Sequence, residues 1–376
     1  MFTRLWLSFL IAFAVSLAMT PVAIKIAPKI GALDVPKDSR RMHNKIMPRF
    51  GGMAIFLGTT IALIYNYWGE PKTTFIIIGG ALVYALGVVD DLRGLKAMPK
   101  FVFEIGVAVL MYFGNIRVNF ISNFFGIGKT DLGTILTFVI TVLWIVGITN
   151  AVNLIDGLDG LAAGVATIAA FCVAYAGFIH GYYLTAGAML ALAGGALGFL
   201  PYNFHPAKIF MGDSGSLFLG FMLATISVIG TVKSATLIAI VMPVCVLGLP
   251  IFDTGFAIIR RLINKQKIMS PDKQHLHHRL MSLGYGQRRA VLMIYCVSAI
   301  MGIAAILFSR QLYLETLGLF AITFLMIYIF LTDAEHKIPV IKKEKLAKEK
   351  LTPCEIADNA GKEYEEIKEK IDNAEI

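Results

Sequence analysis

Carboxylates, amides and histidines gather in four short segments of this chain, at spacings that suit the handling of phosphate and of a hard cation. The first is Asp90-Asp91, closing an apolar run that begins near Thr73. Two adjacent carboxylates cannot both ionise cheaply without a cation nearby, so the pair points to a bound cation or to one member acting as a base. The plainer reading is a polar stop, with Arg93 answering the charge. In the second segment, Asn150 to Ala162, the residues Asn153, Asp156 and Asp159 recur every three positions. On a helix they would align three oxygen-bearing side chains along one face. Each Asp precedes a Gly, so turn chemistry and an N-cap for the next helix compete. That alternative accounts for one Asp more easily than for three polar residues.

The third segment is Phe210-Met211-Gly212-Asp213-Ser214-Gly215-Ser216. Its glycines let backbone approach a ligand, and a helix starting here would offer free N–H groups and a positive dipole end to a phosphate. Asp213 is either an ordinary N-cap or an oxygen ligand suited to Mg²⁺, which is typically held by one or two carboxylates together with substrate phosphates. Phe210 is either an interfacial anchor or a platform for a nucleobase. The fourth segment, His275-Leu276-His277-His278-Arg279, clusters donors for phosphate oxygens. Zinc is a weaker reading there, because the cysteines lie elsewhere and the carboxylates favour a harder metal. A basic run of Arg40, Arg41, His43, Lys45 and Arg49 adds positive charge. Gly126-Ile127-Gly128-Lys129-Thr130 resembles the end of a P-loop, but residue 123 is Asn where that motif has Gly, and it is set aside.

The elements that must position these residues are read from hydropathy. The chain has 376 residues, 57% of them hydrophobic and 16% charged, and its mean hydropathy is +0.72. A soluble domain carries about 25% charge, which excludes a water-soluble enzyme; disorder is excluded too. Apolar blocks of span length fall near residues 5–24, 51–68, 73–90, 99–114, 132–149, 160–179, 182–200, 214–231, 234–259, 290–308 and 311–331. The fold class is therefore all-α, a polytopic membrane protein of about eleven helices. The first block runs into Thr20-Pro21-Val22 without a small-residue cleavage site and is expected to be a retained span.

Eleven spans put the termini on opposite sides. Loops after odd-numbered spans hold nineteen Lys and Arg, against six on the other side. Basic residues accumulate in cytoplasmic loops, so the N-terminus is expected outside and the C-terminus inside. That distribution explains most of the net charge of +9, and no nucleic-acid partner is implied. Asp90, Asp91, Asp156, Asp159, Asp213, Asp253 and Asp272 fall on the cytoplasmic side, while the outer loops hold only Glu70, Asp131 and Glu315. Carboxylates cost about 2.5–3.5 kcal/mol at the centre of a spanning helix and less near the interface. Their convergence on one face suggests a cation site or a proton-handling site. A cation-coupled transporter would instead show repeated halves and acids near the bilayer midplane.

Cys172, Cys245 and Cys296 lie in spans and Cys354 in the tail, with no C-x-x-C pair, so neither a disulfide nor a thiolate metal site is expected. Residues 1–336 read as the membrane catalytic domain. Residues 337–376 form a charged cytoplasmic tail with nine Lys against ten Asp and Glu. Thr352-Pro353-Cys354-Glu355 has the form of a helix start, and Ile356, Ala360, Tyr364, Ile367 and Ile371 make an apolar stripe over 353–372. So short a helix suits pairing of two copies into a homodimer or lying on a surface, and a frayed tail competes with both.

In this order and on this side, the motifs resemble the polyprenyl-phosphate N-acetylhexosamine-1-phosphate transferase family. The resemblance runs from about Asp34 to Gly284. It rests on five collinear segments: Asp90-Asp91, Asn153 to Asp159, Phe210 to Ser216, Pro250-Ile251-Phe252-Asp253-Thr254, and His275 to Arg279. The Leu between the first and second His looks like the WecA/TagO branch, which uses UDP-GlcNAc. The MraY branch transfers phospho-MurNAc-pentapeptide and usually has three consecutive His. It also has a Thr-Pro-Thr-Met-Gly-Gly-like segment where this chain has Met47-Pro48-Arg49-Phe50-Gly51-Gly52.

The resemblance implies transfer of GlcNAc-1-phosphate from UDP-GlcNAc to undecaprenyl phosphate, releasing UMP. The setting would be the cytoplasmic face of a bacterial cytoplasmic membrane, as the first membrane step of a cell-surface glycan pathway. It implies Mg²⁺ as cofactor, with Mn²⁺ as a substitute. Two anionic substrates must meet, and their repulsion has to be cancelled by a metal and by Lys, Arg and His. In this reading Asp90, Asp91 and Asp156 are the catalytic carboxylates, Asp90 deprotonating or orienting the lipid phosphate, with Asp91 supporting it or the metal. Asp213, with Asn153 or Asp156, holds the metal. Asp159, Asn203 and Phe210 hold uridine, while Lys100, Arg49, His275, His277, His278 and Arg279 hold phosphates. Direct attack by the lipid phosphate is favoured over a phosphorylated Asp.

Overall fold

The structure, a computed structural model, describes residues 2–34, 46–118, 120–122, 129–131, 133–229, 286–326 and 328–329. Its elements are α1 (Phe2–Ile30), β1 (Leu33–Asp34), β2 (Met47–Pro48), α2 (Gly52–Tyr67), α3 (Pro71–Arg93), α4 (Ala97–Phe113), β3 (Phe120–Ser122), β4 (Lys129–Asp131), α5 (Gly133–Ile155), α6 (Leu161–Ile179), α7 (Tyr183–Asn203), α8 (Gly212–Ile229) and α9 (Gln287–Ser309). A shorter apolar helix, α10 (Tyr313–Met326), follows. Seven of these helices are long and apolar enough to cross a membrane, namely α1, α3 and α5 to α9. Ten of the eleven expected spans coincide with helices. The span expected at 234–259 lies outside the described residues, as do Arg40, Arg41, His43, Lys45, Asp253, Asp272, the segment from His275 through His277 and His278 to Arg279, Cys245, and the tail from 337 with its expected helix at 353–372.

Helix α8 is the central pillar. Every residue in it except Asp213 is buried, and α2, α3, α5, α6 and α7 all pack on it. A helix apolar all round has no solvent face to offer and must be surrounded. Trp144 ties α5 to it by donating from Nε1 to the Ala224 carbonyl at 3.1 Å.

At the edge of the bundle, α1 packs on α7 and α2 through a stripe of small residues, Ser8, Ala12, Ser16, Thr20, Ala23 and Ala27. A Cβ at Gly194 would fall 2.3 Å from the Phe9 carbonyl oxygen, so the two backbones nearly touch. In lipid, where apolar burial drives little association, such close packing holds helices together.

Two differences between the expected and observed elements bear on the site. Helix α5 runs to Ile155, beyond the span expected to end at 149, because Asn150 and Asn153 find partners on α4 and α8 and can remain helical there. The chain also forms two short antiparallel strand pairs, β1 with β2 (Leu33 opposite Pro48) and β3 with β4 (Ile121 opposite Thr130). The first continues into a parallel bridge between Arg49 and Phe210, which leads Arg49 to the start of α8.

Candidate active site

Three junctions, α1–α2, α3–α4 and α7–α8, deliver five charged side chains to one point at the end of the bundle. Lys100, from the first turn of α4, places Nζ 2.7 Å from Asp90 Oδ2 and 2.8 Å from Asp213 Oδ2. Arg49 places Nη2 2.5 Å from Asp213 Oδ1 and Nε 3.1 Å from Asp91 Oδ1. Two cations thus hold three carboxylates, and each oxygen of Asp213 carries one of them. Burial works against the charge on Arg49, yet Asp91, Asp213, Asp156 and Asp90 together raise its pKa above the ordinary arginine value.

Backbone hydrogen bonds set this geometry. Phe210 N–H donates to the Pro48 carbonyl at 2.8 Å, Gly51 N–H to Phe210 at 3.0 Å and Gly52 N–H to Met211 at 2.9 Å. Arg49 is thereby carried on a strand zipped to the segment that starts α8. Asp91, whose side chain is 0% exposed, accepts from the N–H groups of Asp213 at 2.8 Å and Ser214 at 3.0 Å. It is a helix cap supplied by another helix. The fit requires glycine at two points. Gly212 sits at φ +74°, and a Cβ there would lie 2.5 Å from Asp91 Oδ2; a Cβ on Gly87 would lie 2.4 Å from Ser214 Cα.

These contacts bear on three expectations. The N–H groups of Asp213 and Ser214 are not free for phosphate, since Asp91 holds them. Asp91, expected to be catalytic, is buried and accepts from Arg49 and from two α8 N–H groups, contacts that position α8. Asp213 is not an N-cap either, because its carboxylate is engaged by Arg49 and Lys100. Asp90 remains at the centre as expected, with Oδ1 accepting the Leu95 N–H at 2.6 Å and Oδ2 on Lys100.

A second group of residues lies where the α5–α6 and α7–α8 junctions meet. The expected run of three along one helix face is broken, because α5 stops at Ile155 and Asp156 to Gly160 turn away. Asn153 donates from Nδ2 to Ser216 Oγ at 2.8 Å. Asp159 Oδ2 accepts from the Ala207 N–H at 3.1 Å and meets His205 Nδ1 at 2.8 Å. Gly160, not Asp159, occupies the N-cap of α6.

Asn203 is 3% exposed. Its amide accepts the Gly160 N–H and donates to the Ile209 carbonyl, both at 3.0 Å, so it ties the two junctions together where uridine contact is expected from the sequence. His205 is not among the residues that the sequence marks; a lone His before Pro206 carries little signal, and only its meeting with Asp159 singles it out. Arg288 of α9 holds the same loop by donating from Nε to the His205 carbonyl at 2.9 Å.

Asp156 lies in the turn, half-buried. Burial, helped by Asp213, Asp91 and Asp159 and opposed by Arg49, raises its pKa to about 7.

Asp90, Asp91, Asp213, Asp156 and Asn153 are oxygen donors, which suits a hard divalent cation. Among the described residues no three His, Cys, Asp or Glu side chains form a ready-made metal cage. Asp213, Asp156 and Asn153 are the oxygen donors from which the sequence expects a metal site. Among the described residues of this cluster, the three carboxylates Asp90, Asp91 and Asp213 outnumber the two cations Arg49 and Lys100.

The fold and the site together define a multi-span helical bundle with a carboxylate, lysine and arginine centre at one end. The chain matches Glycosyl transferase family 4 over residues 73–231. It is 45% identical, over 87% of its length and 90% of the relative's, to a probable undecaprenyl-phosphate N-acetylglucosaminyl 1-phosphate transferase of Bacillus subtilis (strain 168). It is 37% identical, over 72% and 73%, to a decaprenyl-phosphate N-acetylglucosaminephosphotransferase of Mycolicibacterium smegmatis. It is 27% identical, over 76% and 78%, to an undecaprenyl-phosphate alpha-N-acetylglucosaminyl 1-phosphate transferase of Escherichia coli O157:H7. The chain belongs to glycosyl transferase family 4.

Proposed function

We propose that this protein transfers GlcNAc-1-phosphate from UDP-GlcNAc to undecaprenyl phosphate, releasing UMP, on the cytoplasmic face of a bacterial cytoplasmic membrane. The observation that carries the reading is Lys100 bridging Asp90 and Asp213 at 2.7 and 2.8 Å, at the bundle end where basic loop residues accumulate. The names of the relatives support the substrates.

The reaction joins an oxygen of the lipid phosphate to the phosphorus that bears the sugar, and breaks that phosphorus's bond to the bridging oxygen, which leaves with UMP. Lys100 supplies positive charge between the two phosphates. Arg49 fixes Asp213 and shares that charge. Asp90 orients the lipid phosphate and accepts its proton if it arrives protonated. Asp159 and Phe210 hold the uridine end, on loops tied by Asn203. Mg²⁺, for which Mn²⁺ is a substitute, would be held by Asp213, Asp156 and Asn153, and when bound supplies Lewis-acid polarisation and charge neutralisation at the donor's phosphates.

Purified protein given UDP-GlcNAc, undecaprenyl phosphate and Mg²⁺ should release UMP. Release only from UDP-MurNAc-pentapeptide would point to the MraY-type reaction, and release from neither donor would overturn the reading. The MraY alternative is disfavoured by Arg49, which stands in the segment where this chain departs from that branch and which pairs with both Asp91 and Asp213.

A further inference from the structure

Glu104 has no part in the chemistry described so far. It lies four residues beyond Lys100 in α4, which places the two on one helix face a turn apart, and it is 3% exposed. Its Oε2 accepts a hydrogen bond from Asn150 Nδ2 near the end of α5. Asn150 also donates to the Val146 carbonyl at 2.9 Å. The Oε1 of Glu104 is buried and has no hydrogen-bond partner. A carboxylate inside an apolar helix, with half its acceptor capacity unused, is costly. The tie between α4 and α5 does not explain it. Glutamine would fill the same space and accept the same hydrogen bond from Asn150 without burying a charge.

The neighbours offer an explanation. Lys100 and Asp213 both lie within electrostatic reach of Glu104. Lys100 divides its ammonium between Asp90 and Asp213, but Asp213 is also the carboxylate to which the proposed function assigns the cation that accompanies the donor nucleotide. Once Asp213 is taken up, the ammonium loses one of its two anionic partners. Its flexible four-carbon stem and three donors can turn to a carboxylate one helical turn along. Glu104 Oε1 is such a group, already buried and already free.

We propose that Glu104 is a positioning residue for Lys100, its unpartnered Oε1 being the second seat of the Lys100 ammonium when Asp213 is engaged. Lys100 then stays charged and oriented towards the lipid phosphate through the reaction. The inference rests on the transferase reading, which gives Lys100 a phosphate to hold.

Glu104→Gln keeps the volume and the Asn150 hydrogen bond but removes the charge. It should raise the KM for undecaprenyl phosphate about tenfold, leave the KM for UDP-GlcNAc within about twofold, and not lower the unfolding temperature in detergent. Calorimetric titration with undecaprenyl phosphate in Mg²⁺ supplies a readout that needs no turnover. There Lys100→Gln should weaken binding, and adding Glu104→Gln to it should change the Kd by less than about twofold, since nothing remains to be positioned. Asn150→Ala breaks the tie and leaves the charge; it should lower the unfolding temperature while keeping the KM for undecaprenyl phosphate within about twofold.

A wild-type KM in Glu104→Gln, losses that multiply in the double variant, or an equal rise in that KM in Asn150→Ala would each overturn the inference. Absence of UMP release from the wild-type protein would overturn the transferase reading itself, while the coupling between positions 100 and 104 would still be read by calorimetry.

Discussion

Arg49 and Asp213 stand 164 residues apart in the chain and meet at 2.5 Å. The same guanidinium reaches Asp91 at 3.1 Å, so one planar group joins the start of α2 to the end of α3 and the start of α8. This end of the bundle is thus held by a side chain that also carries part of its charge.

Arg49→Lys keeps the charge but replaces a fork with a point donor that cannot serve two carboxylates in a fixed geometry. Turnover should fall roughly 10- to 100-fold with membrane insertion and folding retained. UMP release measured beside thermal unfolding in detergent checks this, and a wild-type rate would show that the fork is dispensable.

The adjacent carboxylates should separate on substitution. Asp91→Asn turns an amide N–H₂ towards one of the two α8 N–H groups that Asp91 now satisfies, leaving a buried donor unpaired and costing about 1–3 kcal/mol of stability. Asp90→Asn can still accept the Leu95 N–H and should unfold near the wild-type temperature, but lose about 100-fold or more in turnover while binding UDP-GlcNAc normally. Intact turnover in Asp90→Asn would remove it from the reaction.

At the other junction the losses should appear in nucleotide binding. Asp159→Asn should weaken UDP-GlcNAc binding about tenfold by calorimetry. Because Asn can place its amide nitrogen near the position of Nδ1, His205→Asn should retain more affinity than His205→Phe, which loses the contact with Asp159. Wild-type affinity in all three variants would leave this junction without a role in holding the donor.

Helix contact can be tested without touching a charge. A Cβ on Gly87 would meet Ser214 Cα at 2.4 Å, whereas one on Gly106 would meet nothing within 4 Å. Gly87→Ala should cost about 1–3 kcal/mol as α3 and α8 are forced apart, and Gly106→Ala should be neutral or stabilising. Thermal unfolding of the two variants side by side checks the close approach.

Asp156 predicts the direction of a pH effect in protein kept free of divalent cations. Its pKa is raised from 3.8 to about 7 on folding, so between those values the folded state holds a proton that the unfolded state lacks. Stability should therefore fall as pH rises from about 4 to about 7 and level off above. Asp156→Asn should flatten that slope in unfolding curves taken across the window; an unchanged slope would mean that other groups produce it.

Much of this was determined by the sequence alone. The helical bundle comes from apolar blocks whose length is set by bilayer thickness. The gathering of Asp90, Asp91, Asp156, Asp159 and Asp213 at one end comes from their falling at alternate junctions. Both are properties of local composition and of the direction of the chain. The tertiary structure decided the division of labour. Asp90 and Asp91 are neighbours of identical chemistry, yet successive helical residues point about 100° apart, so one faces Lys100 and the other the backbone of α8. Glu104 stands out in α4 as an ionisable residue four positions after Lys100, but the sequence does not show what it meets, and nothing in the Phe204-His205-Pro206 turn marks His205. Their roles depend on Asn150 and Asp159, which reach them only through the packing of separate helices. Asn203 shows the same limit from the other side: its type suited a ligand contact, but the two backbone groups that engage its amide come from junctions that meet only in three dimensions.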